Sequence, residues 1–167
     1  MEIDPVFAVA AGLSVIAGLL MVTRRNPVYS AIMMLVAFLG LAVVYLKLDA
    51  PFLAAMHVLV YTGAILVLFL FVIMLLNLKP EEFGVEYPLP VRGAIGALCL
   101  GLFGLLALGI WNDPALRQPF KETPPGFGDV KAVGIELFGP YALPFELISV
   151  LILVAIFGGV VLAKRKL

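Results

Sequence analysis

The chain has 167 residues, of which 63% are hydrophobic and 13% charged, and its formal net charge is zero. Soluble domains carry a charge on about a quarter of their residues, so this composition excludes an ordinary soluble domain and indicates an integral membrane protein. The balanced charge lacks the basic footprint of a nucleic-acid-binding protein, so no nucleic-acid partner is expected.

Five apolar runs follow one another along the chain, and each is about long enough to cross a bilayer as a helix. About 20 residues, rising about 1.5 Å each, span a hydrocarbon layer of about 30 Å. An open sheet is excluded there because its edges would leave backbone groups unpaired in lipid. The sequence therefore predicts an all-α membrane protein, a single integral-membrane domain over residues 1–167 with five transmembrane helices at about 5–22, 28–46, 51–77, 91–111 and 144–163.

The first run is interpreted as a retained helix and not as a cleaved signal peptide. Glu2 and Asp4 precede it, where a signal peptide would be basic. Between the first two runs, Asn26 followed by Pro27 is typical of a helix cap and of the first helical position. We therefore expect the second helix to begin there.

The third run is the longest, and Asp49 with Pro51 is interpreted as a similar start for its helix. It carries no charged residue between Pro51 and Leu78, yet it contains the only histidine, His57, and the polar cluster Tyr61-Thr62-Gly63. A glycine beside these side chains favours either a packing notch for a neighbouring helix or a hinge at which the hydrogen-bond register changes. Both interpretations remain open from the residues alone.

Two ionisable side chains in the apolar runs are candidates for a proton path, His57 and Glu146. Ionisable groups within a membrane are expensive and often mark ion or proton paths. His57 can instead be a neutral side chain hydrogen-bonded to a neighbouring helix, and Glu146 can be a carboxylate favoured by the positive beginning of the fifth helix.

Orientation is predicted from the lysine and arginine residues of the connections. A periplasmic N-terminus and a cytoplasmic C-terminus place seven basic residues inside and four outside. The long connection 112–143 is then an outer loop, and its prolines predict few regular elements. The inner residues are Arg24, Arg25, Lys79, Arg92, Lys164, Arg165 and Lys166, and the outer ones are Lys47, Arg117, Lys121 and Lys131.

Small residues recur every fourth position on three of the five runs. Such stripes let helix backbones approach closely in lipid, where van der Waals contact drives association. They indicate either packing within the chain or contacts with other subunits. The stripes are Ala10-Ser14-Gly18, Gly93-Ala97-Gly101 and Ala155-Gly159-Ala163.

The residues that would carry redox or hydrolytic chemistry are missing from the sequence. One histidine and one cysteine cannot build a zinc or iron–sulfur site, and no glycine-rich phosphate-binding motif is present. We therefore expect no cofactor and no catalytic centre in this chain.

Three segments resemble the subunit J family of the proton-pumping NADH–quinone oxidoreductase, respiratory complex I. They are NPVYSAIMMLVAFLGLAVVYL (26–46), VLVYTGAILVLFLFVIMLLNL (58–78) and KAVGIELFGPYALPFELISVLILVA (131–155). The resemblance implies a membrane-arm subunit of the bacterial inner membrane that packs against subunits A, H, K and N. It also implies that neighbouring subunits bind most of the quinone, and that FMN and iron–sulfur clusters belong to other subunits.

The resemblance further implies a π-bulge at Tyr61, Thr62 and Gly63. Its interconversion with regular α-helix would turn Val67 and Phe69 into or out of a water path, and so help couple quinone reduction to proton translocation. Two alternatives are kept: a subunit of a related cation/proton antiporter or membrane hydrogenase, and a purely structural scaffold.

Overall fold

The computed structural model describes residues 4–76, 88–113 and 123–164, and every regular element in those ranges is a helix. Five helices are long and apolar enough to cross a membrane, as predicted. The third of them, Pro51–Leu76, is one continuous helix that changes winding in its middle, and it is called the third span below. The elements are α1 (Pro5–Thr23), α2 (Pro27–Lys47), α3 (Pro51–Met56), the π-helix π1 (His57–Ile65), α4 (Leu66–Leu76), α5 (Leu89–Asn112), α6 (Val130–Phe138) and α7 (Ala142–Ala163).

Some predicted features lie outside the described residues. These include the predicted end of the third helix at Asn77, most of the inner connection and part of the 112–143 connection. Five of the basic residues that were counted for the orientation also lie outside the described residues: Lys79, Arg117, Lys121, Arg165 and Lys166.

The first two helices begin at side-chain caps followed by proline. The carboxylate of Asp4 accepts the backbone N–H of Val6 at 2.9 Å. The Asn26 side chain accepts the N–H groups of Val28 at 3.0 Å and Tyr29 at 3.3 Å, so the predicted Asn26 cap is confirmed. These oxygens satisfy donors that a helix cannot pair internally at its first turn.

The start of the third span differs from the prediction. The helix begins at Pro51 as expected, but the capping position is Ala50, which supplies no side-chain hydrogen bond. Asp49 adopts the left-handed conformation (φ 55°), and its carboxylate accepts the hydroxyl of Thr123 at 2.8 Å. The interpretation of Asp49 as the cap was therefore wrong, because a distant part of the chain holds that side chain.

Helices α1 and α2 cross closely through small residues. Ala10 is buried, and the hydroxyl of Ser14 lies 2.9 Å from the carbonyl oxygen of Ala10 and 3.2 Å from that of Ala37 on α2. A side chain at Gly40 would collide with Ser14, so glycine permits the approach. The predicted stripe thus packs within the chain at Ala10 and Ser14, whereas Gly18 has open space beside it.

A salt bridge joins the beginning of α1 to the end of α2. Lys47 Nζ lies 2.7 Å from a carboxylate oxygen of Asp4. The hydrogen bond from Lys47, supported by the N–H of Val6, holds the pKa of the Asp4 carboxyl below its ordinary value.

The stripes on α5 and α7 find no partner among the described residues. A Cβ added at Gly93, Gly101 or Gly159 would meet no described atom within 4 Å. None of the described side chains of either helix is buried. Packing against the part of the chain that the structure describes therefore does not account for these two stripes. We expect lipid or other subunits to cover them.

Part of the connection that was predicted as a loop is helical. Helix α6, Val130–Phe138, lies within it and packs on α7, where the rings of Phe138 and Phe145 are 5.1 Å apart. Because α7 begins at Ala142, Glu146 lies in its second turn and not in the first turn as predicted.

Candidate functional site in the third span

Nine residues of the third span, His57–Ile65, are wound as a π-helix. The register is explicit at its end, where the N–H of Leu66 donates to the carbonyl of Tyr61, five residues earlier. The cluster Tyr61-Thr62-Gly63 lies inside this stretch. A π-winding of any length is rare, and it is found most often at functional sites.

Gly63 lies close to the backbone of the preceding turn of π1. A Cβ added at Gly63 would lie 3.3 Å from the carbonyl oxygen of Val58, which is a tight contact with backbone. A larger side chain at this position therefore has to displace the turn that precedes it.

His57 lies at the beginning of π1, within an aromatic cluster formed with α2. It is 9% exposed, and its ring stacks on that of Tyr61 with centroids 4.8 Å apart. Phe38 and Tyr45 of α2 meet it edge-on at 5.2 and 5.4 Å. Edge-on and stacked aromatic contacts are directional, so this cluster fixes the beginning of π1 against α2.

A cavity of about 330 Å³ opens beside the aromatic cluster. His57 and Tyr61 line it together with Tyr45 and Met56. Three residues with polar side-chain atoms are thus among those lining a space of the volume of several water molecules, since one water occupies about 30 Å³ in the liquid.

Two buried polar atoms of π1 have no hydrogen-bond partner within the described ranges. They are Nε2 of His57 and the hydroxyl oxygen of Thr62. A buried polar group without a partner loses about 1–3 kcal/mol of hydration free energy that nothing replaces.

Three of the four serine and threonine hydroxyls in the described α-helices behave differently from that of Thr62, and the fourth, Ser30, donates to the carbonyl of Arg24. Ser14, Thr23 and Ser149 each lie within hydrogen-bond distance of the carbonyl oxygen four residues earlier, at 2.9, 2.8 and 3.1 Å. This is the usual bond of a hydroxyl side chain within an α-helix. Thr62 lacks this bond in π1.

Val67 and Phe69 lie just beyond π1, at the beginning of α4, and the structure places them away from its buried side. They are 58% and 48% exposed, whereas Leu66 is fully buried and Ile73 is 7% exposed. If the hydrogen-bond register of the preceding helix shifted by one residue, α4 would rotate by about 100°, because an α-helix has 3.6 residues per turn. Such a rotation would replace the buried side with a different row of side chains.

Glu146 is not brought into the site. It is exposed on α7, and α7 packs chiefly against α6 and not against π1. Within the ranges that the structure describes, no group of three or more side chains is arranged to hold a metal ion. The site is thus a polar helix segment, and the chemistry it can support is hydrogen bonding and proton or water transfer.

Phe38 and Tyr45 were not singled out from the sequence. They are spaced seven residues apart in a helix, and that spacing places them on one face. The signal that could have found them is an aromatic pair at this spacing on the helix next to His57. Hydropathy alone does not separate such residues from ordinary membrane-facing aromatics.

Known proteins are similar to this chain along nearly its whole length. The family described as NADH-ubiquinone/plastoquinone oxidoreductase chain 6 matches residues 17–162. NADH-quinone oxidoreductase subunit J of Pseudomonas aeruginosa is 37% identical, covering 95% of this chain and 95% of that protein. NADH-quinone oxidoreductase subunit 10 of Thermus thermophilus is 39% identical (91% and 84%), and NAD(P)H-quinone oxidoreductase chain 6 of Synechocystis is 40% identical (96% and 80%).

Proposed function

The chain belongs to the NADH-ubiquinone/plastoquinone oxidoreductase chain 6 family, and from this membership we propose a role for it. Its similarity to a bacterial subunit J of NADH-quinone oxidoreductase extends along nearly the whole chain. It is a non-catalytic, multi-pass membrane subunit of respiratory complex I that helps couple quinone reduction to proton translocation. FMN, iron–sulfur clusters and most quinone contacts belong to other subunits. Its neighbours are subunits A, H, K and N.

The proposed setting is the bacterial inner membrane, with a periplasmic N-terminus and a cytoplasmic C-terminus. The excess of basic residues on the cytoplasmic side supports this orientation. The whole chain forms one integral-membrane domain, and the uncovered apolar surfaces of α5 and α7 support extensive contacts with other subunits.

The observation that carries the mechanism is the π-winding of residues His57–Ile65. We propose that this π-winding, which leaves the Thr62 hydroxyl unpaired, is close in free energy to an α-winding that would pair it. A helix with two windings of similar free energy is a bistable element, and small changes in neighbouring subunits can shift its population.

The proposed switch rotates α4 and leaves the beginning of π1 in place. Tyr61, Thr62 and Gly63 change register, and the rotation turns Val67 and Phe69 toward or away from a water path. The aromatic contacts to α2 support a fixed beginning, and the apolar contacts of α4 support a movable end.

His57 and Glu146 remain candidates for proton transfer. His57 borders the cavity beside the aromatic cluster, which supports a place next to water. Glu146 is exposed on α7 and requires a neighbouring subunit to connect it to the same path. The two residues are therefore proposed as separate sites.

The test is Gly63→Leu in the assembled enzyme. The added side chain meets the Val58 carbonyl, so we expect impaired quinone-linked proton pumping. Oxidation of NADH by artificial acceptors should survive because it occurs in other subunits. Gly18→Leu is a matched control, since a Cβ at Gly18 meets nothing within 4 Å.

Normal pumping in the Gly63 variant would refute the switch. A purely structural scaffold predicts a different pattern: lower assembly yield with unchanged protons pumped per electron in whatever assembles. Copurified flavin and iron–sulfur clusters distinguish complex I from the antiporter alternative, and the names of the relatives already favour complex I.

A further inference from the structure

Residues 123–129, called the brace below, lie against the beginning of the third span. The hydroxyl of Thr123 donates to the carboxylate of Asp49 at 2.8 Å. The N–H of Phe52 donates to the carbonyl of Gly128 at 3.2 Å. The second bond satisfies a first-turn donor that no side chain caps, so the brace supplies the cap that Asp49 does not.

The brace approaches the backbone of the third span so closely that only glycine fits at one of its positions. Gly128 is buried, and a Cβ there would collide with the carbonyl of Asp49 and with the Cα of Ala50. Within the brace, Gly126 has φ +77°, a backbone conformation that glycine adopts without strain. These two glycines let the brace turn and lie directly on the backbone of the span.

The brace continues without interruption into α6. Helix α6 begins at Val130 and packs on α7 through the rings of Phe138 and Phe145. A cavity of about 630 Å³ between the span and α6 is lined by Leu53, Gly128 and other residues of both elements. The beginning of the third span is thus tied to the α6–α7 pair as well as to α2.

We propose that the brace is a positioning device that fixes the Pro51 end of the third span. The inference rests on the proposed function and adds to it: a change of winding at π1 is transmitted toward Leu76, through α4, and does not turn α3. Without the brace, rotation could be absorbed at the free end of a six-residue helix, and α4 would turn less.

The first test links the brace covalently to the span in the assembled complex. The Asp49→Cys/Thr123→Cys pair replaces two side chains whose oxygen atoms are 2.8 Å apart, in a Cys99→Ser background. Membranes are oxidised with copper–phenanthroline and then reduced with dithiothreitol, and mass spectrometry identifies the bridge. Both single-cysteine variants are controls.

We expect the bridge to form and the protons pumped per electron to change by less than about twofold between the oxidised and reduced states. Pumping that is lost on oxidation and restored on reduction would show that this end has to move, and would overturn the inference. Failure of the bridge to form would place the brace elsewhere and would also overturn it.

The second test loosens the brace by Gly128→Ala. The added methyl group collides with the 49–50 backbone, so amide exchange in residues 50–56 should become at least about tenfold faster. Protons pumped per electron should fall as well. Gly134→Ala in α6 is the matched control, because a Cβ there meets nothing within 4 Å, and it should change neither measurement.

Faster exchange with unchanged pumping in Gly128→Ala would show that the brace only caps the helix, and the inference would fail. The proposed switch is judged separately by Gly63→Leu. If that variant pumps normally, the switch fails whatever the brace variants do. If Gly63→Leu impairs pumping, an overturning result in either brace test refutes the role of the brace and leaves the switch standing.

Discussion

Replacing Thr62 by valine is expected to stabilise the π-winding of the third span relative to an α-winding. Valine has nearly the same shape as threonine and the same branching at Cβ, so intrinsic helix preference changes little. It lacks the hydroxyl that is buried without a partner in π1. The substitution therefore removes a penalty from one winding only.

The size of the effect follows from the two environments of the hydroxyl. In the π-winding the orphan group costs about 1–3 kcal/mol, and in an α-winding it would pair with the carbonyl four residues earlier, as Ser14, Thr23 and Ser149 do. Removing the hydroxyl should shift the equilibrium toward the π-winding by about 1–3 kcal/mol, or about 5- to 150-fold. At the upper end of this range, a balanced equilibrium becomes almost entirely π.

The assay combines cryo-electron microscopy of the assembled enzyme during turnover with proton pumping in proteoliposomes. Particles sorted by the winding of residues 57–65 give the population ratio. We expect Thr62→Val to enrich the π class and to lower the protons pumped per electron, whereas Thr62→Ser, which keeps the hydroxyl, should resemble the parent. Equal π populations in the valine and serine variants would refute the reasoning.

Three further predictions concern other contacts of the chain. Gly40→Ala should destabilise the α1–α2 pair by about 1–3 kcal/mol because its methyl group overlaps α1, whereas Gly18→Ala should be neutral in thermal unfolding of the subunit. If His57 carries protons, His57→Leu should lower pumping more than His57→Gln; equal pumping in the two would remove His57 from any proton path. Lys47→Met should return the pKa of Asp4 toward its ordinary value, as measured by carboxyl-carbon NMR. Because the pKa is lowered in the folded state, the stabilisation from this pair is present above the ordinary pKa of 3.8 and is lost as the pH falls through the lowered pKa.

The spans could be predicted because membrane insertion depends on the summed hydropathy of about 20 residues, which is a local property. The Asn26 cap was equally local, since the side chain bonds N–H groups two and three residues ahead. Asp49 differs from Asn26 in its distance from the proline: Asn26 directly precedes Pro27, whereas Ala50 stands between Asp49 and Pro51 and is therefore the capping residue. The pairing of the Asp49 side chain with Thr123, 74 residues away, is the part that no local pattern could predict.

The π-winding is hard to predict for a different reason. A π-winding and an α-winding of residues 57–65 would place the same apolar side chains in the same lipid, so hydropathy cannot separate the two. The sequence shows only the polar cluster at which a register change is tolerable. We expect the winding to depend on packing against Phe38 and Tyr45 of α2 and on the room beside Gly63, which are tertiary features.

The two halves of the third span are held by contacts of different kinds, and this difference decides which half can turn. The Pro51 half is held by directional contacts: the Gly128–Phe52 hydrogen bond and the edge-on contacts of the His57 ring with two aromatic rings of α2. Rotating it breaks each of them. The α4 half is held by apolar burial of Leu66 and Ile73, which depends on area and not on direction. Because every residue of α4 is apolar, a rotation of about 100° would exchange one apolar row for another, so we expect the free energy that opposes turning to be smaller in α4 than in α3.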